Sequence, residues 1–270
     1  MTAEDVIAAI AIKCEGDWDK TFVLMQEYHN ADEEEKCRMD EDLEVYLDIA
    51  TKSGYKYTTI VSESYPDLLK KQYRPPFVLF YRGDISLLQH IGKNVAVVGS
   101  RECTDYGIEM TKKIVRVVAK EYVIVSGMAK GIDAIAHQTA IDVGGKTIAV
   151  LGGGVDYCYP PTNLKLYKEI KKNHLVISEY PGAIMPKPEN FPRRNRIIAM
   201  LSRGTIVTEA YAKSGTLTTV MFTLQCNRLL MCVPYLANVN SECNRLIKQG
   251  AFMIQTGEEA VDLLKTEIHI

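Results

Sequence analysis

The sequence that decides the fold is VIVSGMAKGID, residues 123–133. Three branched apolar residues are followed at once by Ser126-Gly127, and a second glycine, Gly131, stands four residues later. A short buried strand that passes through a glycine-rich turn into a helix has this form. The stretch therefore predicts one strand–turn–helix unit of an α/β domain.

The same pattern repeats along the chain. Short runs rich in Val, Ile and Leu occupy residues 95–98, 123–125, 148–151, 175–177, 205–207 and 229–233. Amphipathic stretches follow them near 105–120, 131–143, 161–173, 190–202, 214–227 and 241–249. Nearly continuous apolar strands that alternate with helices indicate a parallel sheet covered on both faces. We expect an α/β fold with an extended Rossmann-like, doubly wound, mostly parallel sheet, and ligands at the carboxyl ends of its strands.

Charge divides the chain into two parts. Residues 1–54 carry 5 Lys or Arg and 15 Asp or Glu, and their apolar residues recur at helical spacing. Residues 55–270 carry the remaining 27 basic and 19 acidic side chains. We predict a small acidic N-terminal helical segment at 1–54 and a basic Rossmann-like domain at 55–270. A basic body permits phosphate binding without proving it.

Three of the predicted strands end in glycine or small polar residues that should share one rim of the sheet. The first ends in Gly99-Ser100-Arg101, the second in Ser126-Gly127 with Lys130 close behind, and the third in the glycines at 152–154. Glycine lets a backbone approach a ligand, and helix N-termini offer free N–H groups to anions. We predict a phosphate-binding rim with Arg101 as its first phosphate ligand, although such glycines can also serve only tight turns.

A basic surface is predicted beside this rim. The helix near 190–202 begins with Arg193-Arg194-Asn195-Arg196, although the positive end of a helix dipole disfavours arginine. An anionic ligand in front of these side chains would explain their position. Lys165 begins a row of lysines on one face of the preceding helix, an arrangement also found on solvated faces. Tyr157 and Tyr159 are candidates for stacking on bases.

The residues form no recognisable catalytic or metal-binding constellation. Gly144-Gly145-Lys146-Thr147 resembles the end of a P-loop, but it precedes a predicted strand instead of following one, so ATP hydrolysis is not supported. The seven cysteines form no CxxC pair and the five histidines form no HExxH motif. Glu209 is either a functional carboxylate or a partner for nearby backbone. We therefore expect no catalytic residue, no metal and no cofactor.

Taken in order, these blocks resemble the DprA (Smf) family of DNA-processing proteins from about residue 55 to 265. The resemblance rests on ordered segments, which are YPDL (65–68), YRG (81–83), GSR (99–101), SGMAKGID (126–133), YPPTN (159–163), SEYP (178–181), FPRRNRII (191–198), EA (209–210), SGTL (214–217) and NRLI (244–247). Two positions depart from the family pattern, since Tyr235 and Glu242 stand where glycine is usual.

The resemblance implies a protein that binds single-stranded DNA, forms a homodimer and loads a RecA-type recombinase during natural transformation, while protecting the incoming DNA. It implies no enzymatic activity. The residues expected to bind the nucleic acid combine the rim, the basic surface and the family segments, and they are Gly99, Ser100, Arg101, Ser126, Gly127, Lys130, Asn163, Lys165, Arg193, Arg194, Asn195, Arg196, Ser214 and Gly215.

The sequence also indicates where in the cell the protein is located. No apolar run reaches the roughly 18 residues that span a bilayer, and the N-terminus is acidic where a secretion signal is basic. We expect a cytoplasmic protein with no membrane association.

Two other functions stay open on the sequence alone. Glu209 and Ser214-Gly215-Thr216 faintly resemble the motif of LOG-type phosphoribohydrolases, which cleave nucleoside monophosphates, although the paired glycines and the later glutamate are missing. A nucleotide-binding sensor built on the same pocket is the second alternative. Incubation with AMP distinguishes the enzyme from both binders, and titration with oligonucleotide against mononucleotide distinguishes the two binders.

Overall fold

The computed structural model describes residues 1–89 and 91–266 of the 270-residue chain. His90 and residues 267–270, which include His269 and the end of the predicted domain, lie outside the described residues. The helices, numbered in chain order, are α1 (Ala3–Lys13), α2 (Trp18–Asn30), α3 (Glu33–Lys52), α4 (Asp67–Lys70), α5 (Asp105–Val118), α6 (Ile132–Asp142), α7 (Leu164–Asn173), α8 (Asn190–Met200), α9 (Thr216–Gln225), α10 (Glu242–Lys248) and α11 (Gly257–Lys265).

The strands form a single sheet across the described residues. They are β1 (Lys56–Thr59), β2 (Val78–Gly83), β3 (Asn94–Gly99), β4 (Val123–Ser126), β5 (Thr147–Val150), β6 (Leu175–Ser178), β7 (Gly204–Glu209), β8 (Leu229–Cys232) and β9 (Phe252–Met253). Their order is β1-β2-β6-β5-β4-β3-β7-β8-β9. The strands from β3 to β9 are parallel, whereas β2 is antiparallel to both β1 and β6.

The strand order reverses between β3 and β7. From β3 the chain steps outward through β4, β5 and β6, and it then returns to place β7 on the other side of β3. Open α/β sheets bind ligands at such a switch point, outside the carboxyl ends of the strands. The predicted α/β, extended Rossmann-like, doubly wound and mostly parallel fold is confirmed, and the antiparallel pair β1–β2 is an addition to it.

Helices cover both faces of the sheet. Alternate residues of β3 face opposite sides, with Val95 and Val97 packing against α5, α6 and α11, and Ala96 and Val98 packing towards α8, α9 and α10. On the first of these faces α1 and α7 continue the layer against β2, β5 and β6. This two-sided burial explains why the parallel strands are almost wholly apolar.

Helix α1 belongs to the core although the N-terminal segment is acidic overall. Thr2 caps the helix, and the seven residues 6–12 are all buried, as expected of a helix that is apolar on every side. Ile7 and Ala11 pack in one cluster with Phe80 of β2. The acidic residues at the start of α3 are exposed, so the negative charge lies on the outside of the segment.

Trp18, the only tryptophan of the sequence, fastens α2 to the loop that leads into β2. Its indole N–H donates a hydrogen bond to the Pro75 carbonyl at 2.7 Å, and its ring stacks on Phe77 with centroids 5.1 Å apart. The Arg74 guanidinium lies 4.2 Å from the centre of the same ring.

Within the described residues, no helix combines the length and the apolar character needed to cross a membrane.

We expect Ile7→Ala to lower the free energy of unfolding by about 2–5 kcal/mol, the range for truncating a buried isoleucine. Because Ile7 packs on Phe80, the N-terminal helices and the sheet should unfold in one transition. Denaturant unfolding is followed by Trp18 fluorescence, which reports the N-terminal segment, and by far-UV circular dichroism, which reports the whole chain.

The matched control is Val23→Ala in α2, where the side chain is 52% exposed and the change should cost less than about 0.5 kcal/mol. A loss of stability that appears in the fluorescence transition alone contradicts the expectation, because it shows that the segment folds independently of the sheet.

Candidate functional site

A cleft of about 630 Å³ lies at the switch point, outside the carboxyl ends of β3 and β7. Its walls are the turn after β3, the turn before α6, the first turns of α8 and the loop from β7 into α9. Seven of the predicted binding residues line it, and they are Gly99, Ser100, Arg101, Arg194, Asn195, Ser214 and Gly215. The cleft therefore brings together residues that are up to 116 positions apart in the sequence.

The turn after β3 forms the floor of the cleft. The Ser100 N–H donates to the Glu209 carbonyl at 2.9 Å, and the Ser100 carbonyl accepts from the Ile132 N–H at 3.1 Å. Gly131 precedes α6 with φ of +74°, and a side chain there would collide with the carbonyl oxygens of Ser100 and Arg101. Glycine at position 131 thus allows the start of α6 to close onto the turn, which fixes the backbone that carries Arg101.

Arg101 presents a positive charge at the mouth of the cleft. Its side chain is exposed, and its guanidinium lies 5.6 Å from the centre of the Phe191 ring. None of the ion pairs within residues 1–89 and 91–266 includes Arg101. The Phe191 ring orients the guanidinium without neutralising it, so the charge is available to an anion.

Arg194 forms the inner wall of the cleft and is 4% exposed. Its Nη1 donates to the Gly127 carbonyl at 2.5 Å and also to the Val150 carbonyl, which joins α8 to the ends of β4 and β5. Burial lowers the pKa of the guanidinium to about 10, while the Asp133 carboxylate acts in the opposite direction. A side chain at Gly127 would collide with this guanidinium, so that glycine makes room for Arg194.

Asp133, at the start of α6, completes the inner wall. Its carboxylate accepts the backbone N–H groups of Gly127 and Ala129 at 3.2 and 3.3 Å. Burial raises the pKa of Asp133, while Arg194 and these N–H donors act to lower it. The acid is therefore engaged by the turn after β4 and shapes that turn.

The loop between β7 and α9 closes the cleft opposite Arg101. The Asn195 amide donates to the Gly215 carbonyl at 3.2 Å, which links α8 to this loop. The Ser214 hydroxyl is buried and has no hydrogen-bond partner within the described residues. Because that oxygen is buried, Ser214 contributes to the wall of the cleft while its hydroxyl does not face the open space.

An aromatic wall completes the cleft and was only partly predicted. Tyr159 is 44% exposed, and its ring is tilted against Phe191 with centroids 5.6 Å apart. Tyr211 also lines the cleft, whereas Tyr157 does not. Phe191 and Tyr211 were not singled out from the sequence, although each lies in a segment that was quoted or beside one.

Arg193 and Arg196 do not line the cleft. Arg196 is 7% exposed and donates to both oxygens of Glu179 at 2.8 and 2.6 Å. Arg193 pairs with Asp17 and Asp19 of the N-terminal segment at 3.2 and 3.7 Å. The structure therefore does not bring these two arginines into the cleft with Arg194, because carboxylates of the protein itself offset their position at a helix N-terminus.

The remaining predicted residues lie around the cleft without lining it. The Ser126 hydroxyl donates to a carbonyl of β3 at 2.7 Å, and the Asn163 amide donates to two carbonyls of the turn after β4. Both side chains therefore hold the backbone in place. Lys130 and Lys165 are exposed, in the turn before α6 and on α7 respectively.

Glu209, for which the sequence allowed two roles, supports the backbone. It is fully buried and accepts the N–H and the hydroxyl of Thr104, the N-cap of α5, at 3.1 and 2.7 Å. The Tyr235 hydroxyl donates to the same carboxylate at 2.8 Å. The Glu209 carboxylate is thus bonded beneath α5, and Glu209 is not among the residues that line the cleft.

The cleft can hold an anion and a flat ring next to each other. Arg101 supplies the charge, and the Tyr159–Phe191 pair supplies an aromatic surface. Among the residues that the structure describes, no cluster of three or more His, Cys, Asp or Glu side chains could hold a metal ion. Phosphate and base are the parts of a nucleotide that such a surface complements.

A family model for DNA recombination-mediator protein A matches residues 56–265. The chain belongs to this family. The resemblance to DprA (Smf) proteins that the sequence segments indicated is confirmed, and the chain is a member of a group of DNA-processing, recombination-mediator proteins.

Relatives and solved structures agree with the family assignment. The chain is 42% identical over 205 residues to the DNA processing protein DprA of Streptococcus pneumoniae, a match that covers 75% of this chain and 72% of the relative. It is 41% identical over 214 residues to the protein Smf of a Synechocystis strain, where 77% of this chain covers 54% of the relative. The chain therefore spans between half and three quarters of these curated relatives.

Two solved structures of family members share the fold. The X-ray structure of the Streptococcus pneumoniae protein superposes with a TM-score of 0.78 at 34% identity, over 99% of this chain and 94% of the other. A structure of DprA from Helicobacter pylori, described for its unique single-stranded DNA binding mode, gives a TM-score of 0.71 at 32% identity. That match covers 78% of this chain and 97% of the other.

We expect Arg196→Met to lower the free energy of unfolding by about 3–5 kcal/mol, because it leaves the Glu179 carboxylate buried without its partner. Arg193→Met removes a partly exposed pair and should cost no more than about 1 kcal/mol. Chemical denaturation of both variants measures the difference. The double variant Arg196→Met, Glu179→Leu should regain stability over Arg196→Met, and an Arg196→Met protein as stable as wild type contradicts the role of the pair.

Proposed function

We propose that the chain binds single-stranded DNA in the cleft between β3 and β7, and that it does so as a recombination mediator without catalysing a reaction. The observation that carries the proposal is the exposed Arg101 guanidinium beside an aromatic wall at the switch point. Family membership and the relative described for its single-stranded DNA binding mode support it.

Each part of the cleft has a role in this proposal. Arg101 grips a phosphate through two parallel hydrogen bonds, which its planar guanidinium allows. The first turn of α9 presents N–H groups to a second oxygen of the DNA backbone. Tyr159 and Phe191 offer rings on which bases stack whatever their sequence.

The aromatic wall favours a single strand over a duplex. A base can stack on Tyr159 only when it is free of its paired partner and its own neighbours. The sequence also contains no recognition-helix motif of the kind that reads base edges in a major groove. We therefore expect little sequence preference and weaker binding to double-stranded DNA.

The geometry of Glu209 favours a binding protein over a phosphoribohydrolase. A glutamate that assists cleavage of a glycosidic bond must reach the substrate, whereas the Glu209 carboxylate is bonded to Thr104 and Tyr235 under α5. Incubation with AMP, followed by chromatography, tests for this enzyme, and we expect the nucleotide to be recovered intact. Titration with AMP and with an oligonucleotide distinguishes a nucleotide-binding sensor from a DNA-binding protein, because the sensor would bind AMP as tightly as the oligonucleotide.

We further propose that the chain is a cytoplasmic homodimer that protects incoming DNA and hands it to a RecA-type recombinase during natural transformation. These roles rest on the family resemblance, since the handover needs contacts between proteins in addition to the cleft. Strand exchange by a RecA-type recombinase on DNA coated with single-strand-binding protein tests the handover. We expect the chain to shorten the lag before strand exchange begins. An unchanged lag at saturating concentrations of the chain contradicts the proposed handover.

We expect Arg101→Ala to weaken binding to a dT oligomer by about 1–3 kcal/mol, the range for a charge-assisted hydrogen bond. The slope of log affinity against log salt should become shallower by about 0.7, because one single-strand phosphate contact is lost. Titrations at several salt concentrations measure both quantities, and thermal unfolding verifies that the variant is folded.

The matched control is Arg116→Ala. Arg116 is also exposed, but it lies near the far end of α5, so the substitution removes the same charge about 16 Å from the start of that helix. Its affinity and salt slope should stay close to those of wild type. Equal losses in the two variants indicate a general charge effect and contradict a phosphate contact by Arg101.

A further inference from the structure

The loop that carries Arg101 is fastened at both ends to a single residue, Glu209. At the start of the loop, the Ser100 N–H donates to the backbone carbonyl of Glu209 at 2.9 Å. At its end, the Thr104 N–H donates to the side-chain carboxylate of Glu209 at 3.1 Å, and the Thr104 hydroxyl donates to the same oxygen at 2.7 Å. Glu209 therefore closes the base of the loop 100–104, and Arg101 lies between the two attachments.

The other contacts of this loop hold its first half. The Ser100 hydroxyl donates to the Glu102 carbonyl at 2.9 Å and accepts the Glu102 N–H at 3.2 Å. The Ser100 carbonyl accepts the Ile132 N–H at 3.1 Å. The second half of the loop is held through Thr104, so the side chain of Glu209 decides where that half ends.

The start of α5 is shaped to receive the Glu209 carboxylate. A side chain at Gly107, in the first turn of α5, would collide with Oε2 of Glu209, so glycine allows the helix to approach it. In the part of the chain that the structure describes, no lysine or arginine forms an ion pair with Glu209. Donors from Thr104 and Tyr235, together with the positive end of the helix dipole, stabilise a carboxylate there instead.

We propose that Glu209 is a positioning residue for DNA binding. Through Thr104 it fixes the end of the loop 100–104, and it thereby holds the backbone that directs the Arg101 guanidinium towards a phosphate. A loop that is fixed before binding loses less conformational entropy when the phosphate arrives. Glu209 itself touches no DNA, because it is fully buried and does not line the cleft. This inference rests on the proposed binding of single-stranded DNA at Arg101.

Loss of the carboxylate should uncouple Arg101 from DNA. In the wild-type background, Arg101→Ala should weaken binding to a dT oligomer about 5- to 150-fold. In a Glu209→Leu background the same substitution should change the affinity less than about threefold, because residues of one network are not additive. The salt slope of Glu209→Leu should be shallower by about 0.7, like that of Arg101→Ala. An undiminished effect of Arg101→Ala in a folded Glu209→Leu protein overturns the proposal.

Two further variants separate positioning from a general loss of stability. Glu209→Gln keeps an oxygen that accepts from Thr104, so it should retain most of the contribution of Arg101 to binding. Thr208→Val removes a buried hydroxyl that lies 2.7 Å from Oγ1 of Thr111, so it should lower the melting temperature without loosening the loop. It should bind the dT oligomer as wild type does. A loss of the Arg101 contribution in Thr208→Val as large as in Glu209→Leu overturns the proposal.

Should Glu209→Leu not fold, the pair Thr104→Val and Thr104→Ser replaces it. Thr104→Val removes the hydroxyl that reaches the carboxylate, whereas Thr104→Ser keeps it. We expect the contribution of Arg101 to binding to fall about threefold in Thr104→Val, the effect of one lost hydrogen bond, and to stay at the wild-type level in Thr104→Ser. Equal contributions of Arg101 in these two variants overturn the proposal.

Hydrogen exchange of the backbone amides supplies a measurement that needs no DNA. Peptides that cover residues 100–104 should exchange about tenfold faster in Glu209→Leu than in wild type, and at the wild-type rate in Thr208→Val. If Arg101→Ala binds DNA as tightly as wild type, the proposed phosphate contact is wrong, and these exchange rates decide whether Glu209 holds the loop. Unchanged exchange of the loop in Glu209→Leu overturns the positioning role.

Discussion

The buried guanidinium of Arg194 is the interaction on which the cleft depends. It lies on α8, which covers one face of the sheet, and it donates to carbonyls that follow or end β4 and β5. Gly127 leaves the space that the guanidinium fills, and Asp133 on α6 faces it from the opposite side. One side chain therefore fixes the distances between two layers of helices and the edge of the sheet. The mouth of the cleft can stay open and polar because its inner wall is held in this way.

Helix α8 separates the positive charge in the cleft from the ion pairs on its other side, because its arginines point in different directions. Arg194 faces the cleft, whereas Arg196 faces Glu179. Arg193 faces Asp19 of α2 and Asp17, the residue just before that helix. The acidic N-terminal segment thus neutralises Arg193 on the far side of α8, while Arg101 on the near side forms no ion pair within the part of the chain that the structure describes. A protein with a formal net charge of −2 can in this way present a positive site to an anion, since the local arrangement of charges decides the field within a Debye length.

The parallel sheet and the position of the cleft could be predicted, because both follow from local patterns of apolar runs that end in glycine. Arg101 was placed correctly at a strand end for this reason. The antiparallel strands β1 and β2 were not predicted, because they lie in a proline-containing stretch without such runs. The partners of Arg193 and Arg196 could not be predicted either. Asp17 is 176 positions from Arg193, and the contact of Glu179 with Arg196 requires the packing of α8 on the sheet, so neither pairing is encoded in nearby sequence.

The sheet ends on each side in a short strand. β1 has four residues and β9 has two, and the side chains of Phe252 and Met253 in β9 are 48% and 54% exposed. A long, flat, apolar edge is a template on which a second sheet can grow, whereas a two-residue ladder offers too few N–H and C=O groups to hold an added strand. The short edge strands consequently protect the apolar parallel strands of the core from open-ended polymerisation. This holds even though the edge strand β9 carries exposed apolar side chains.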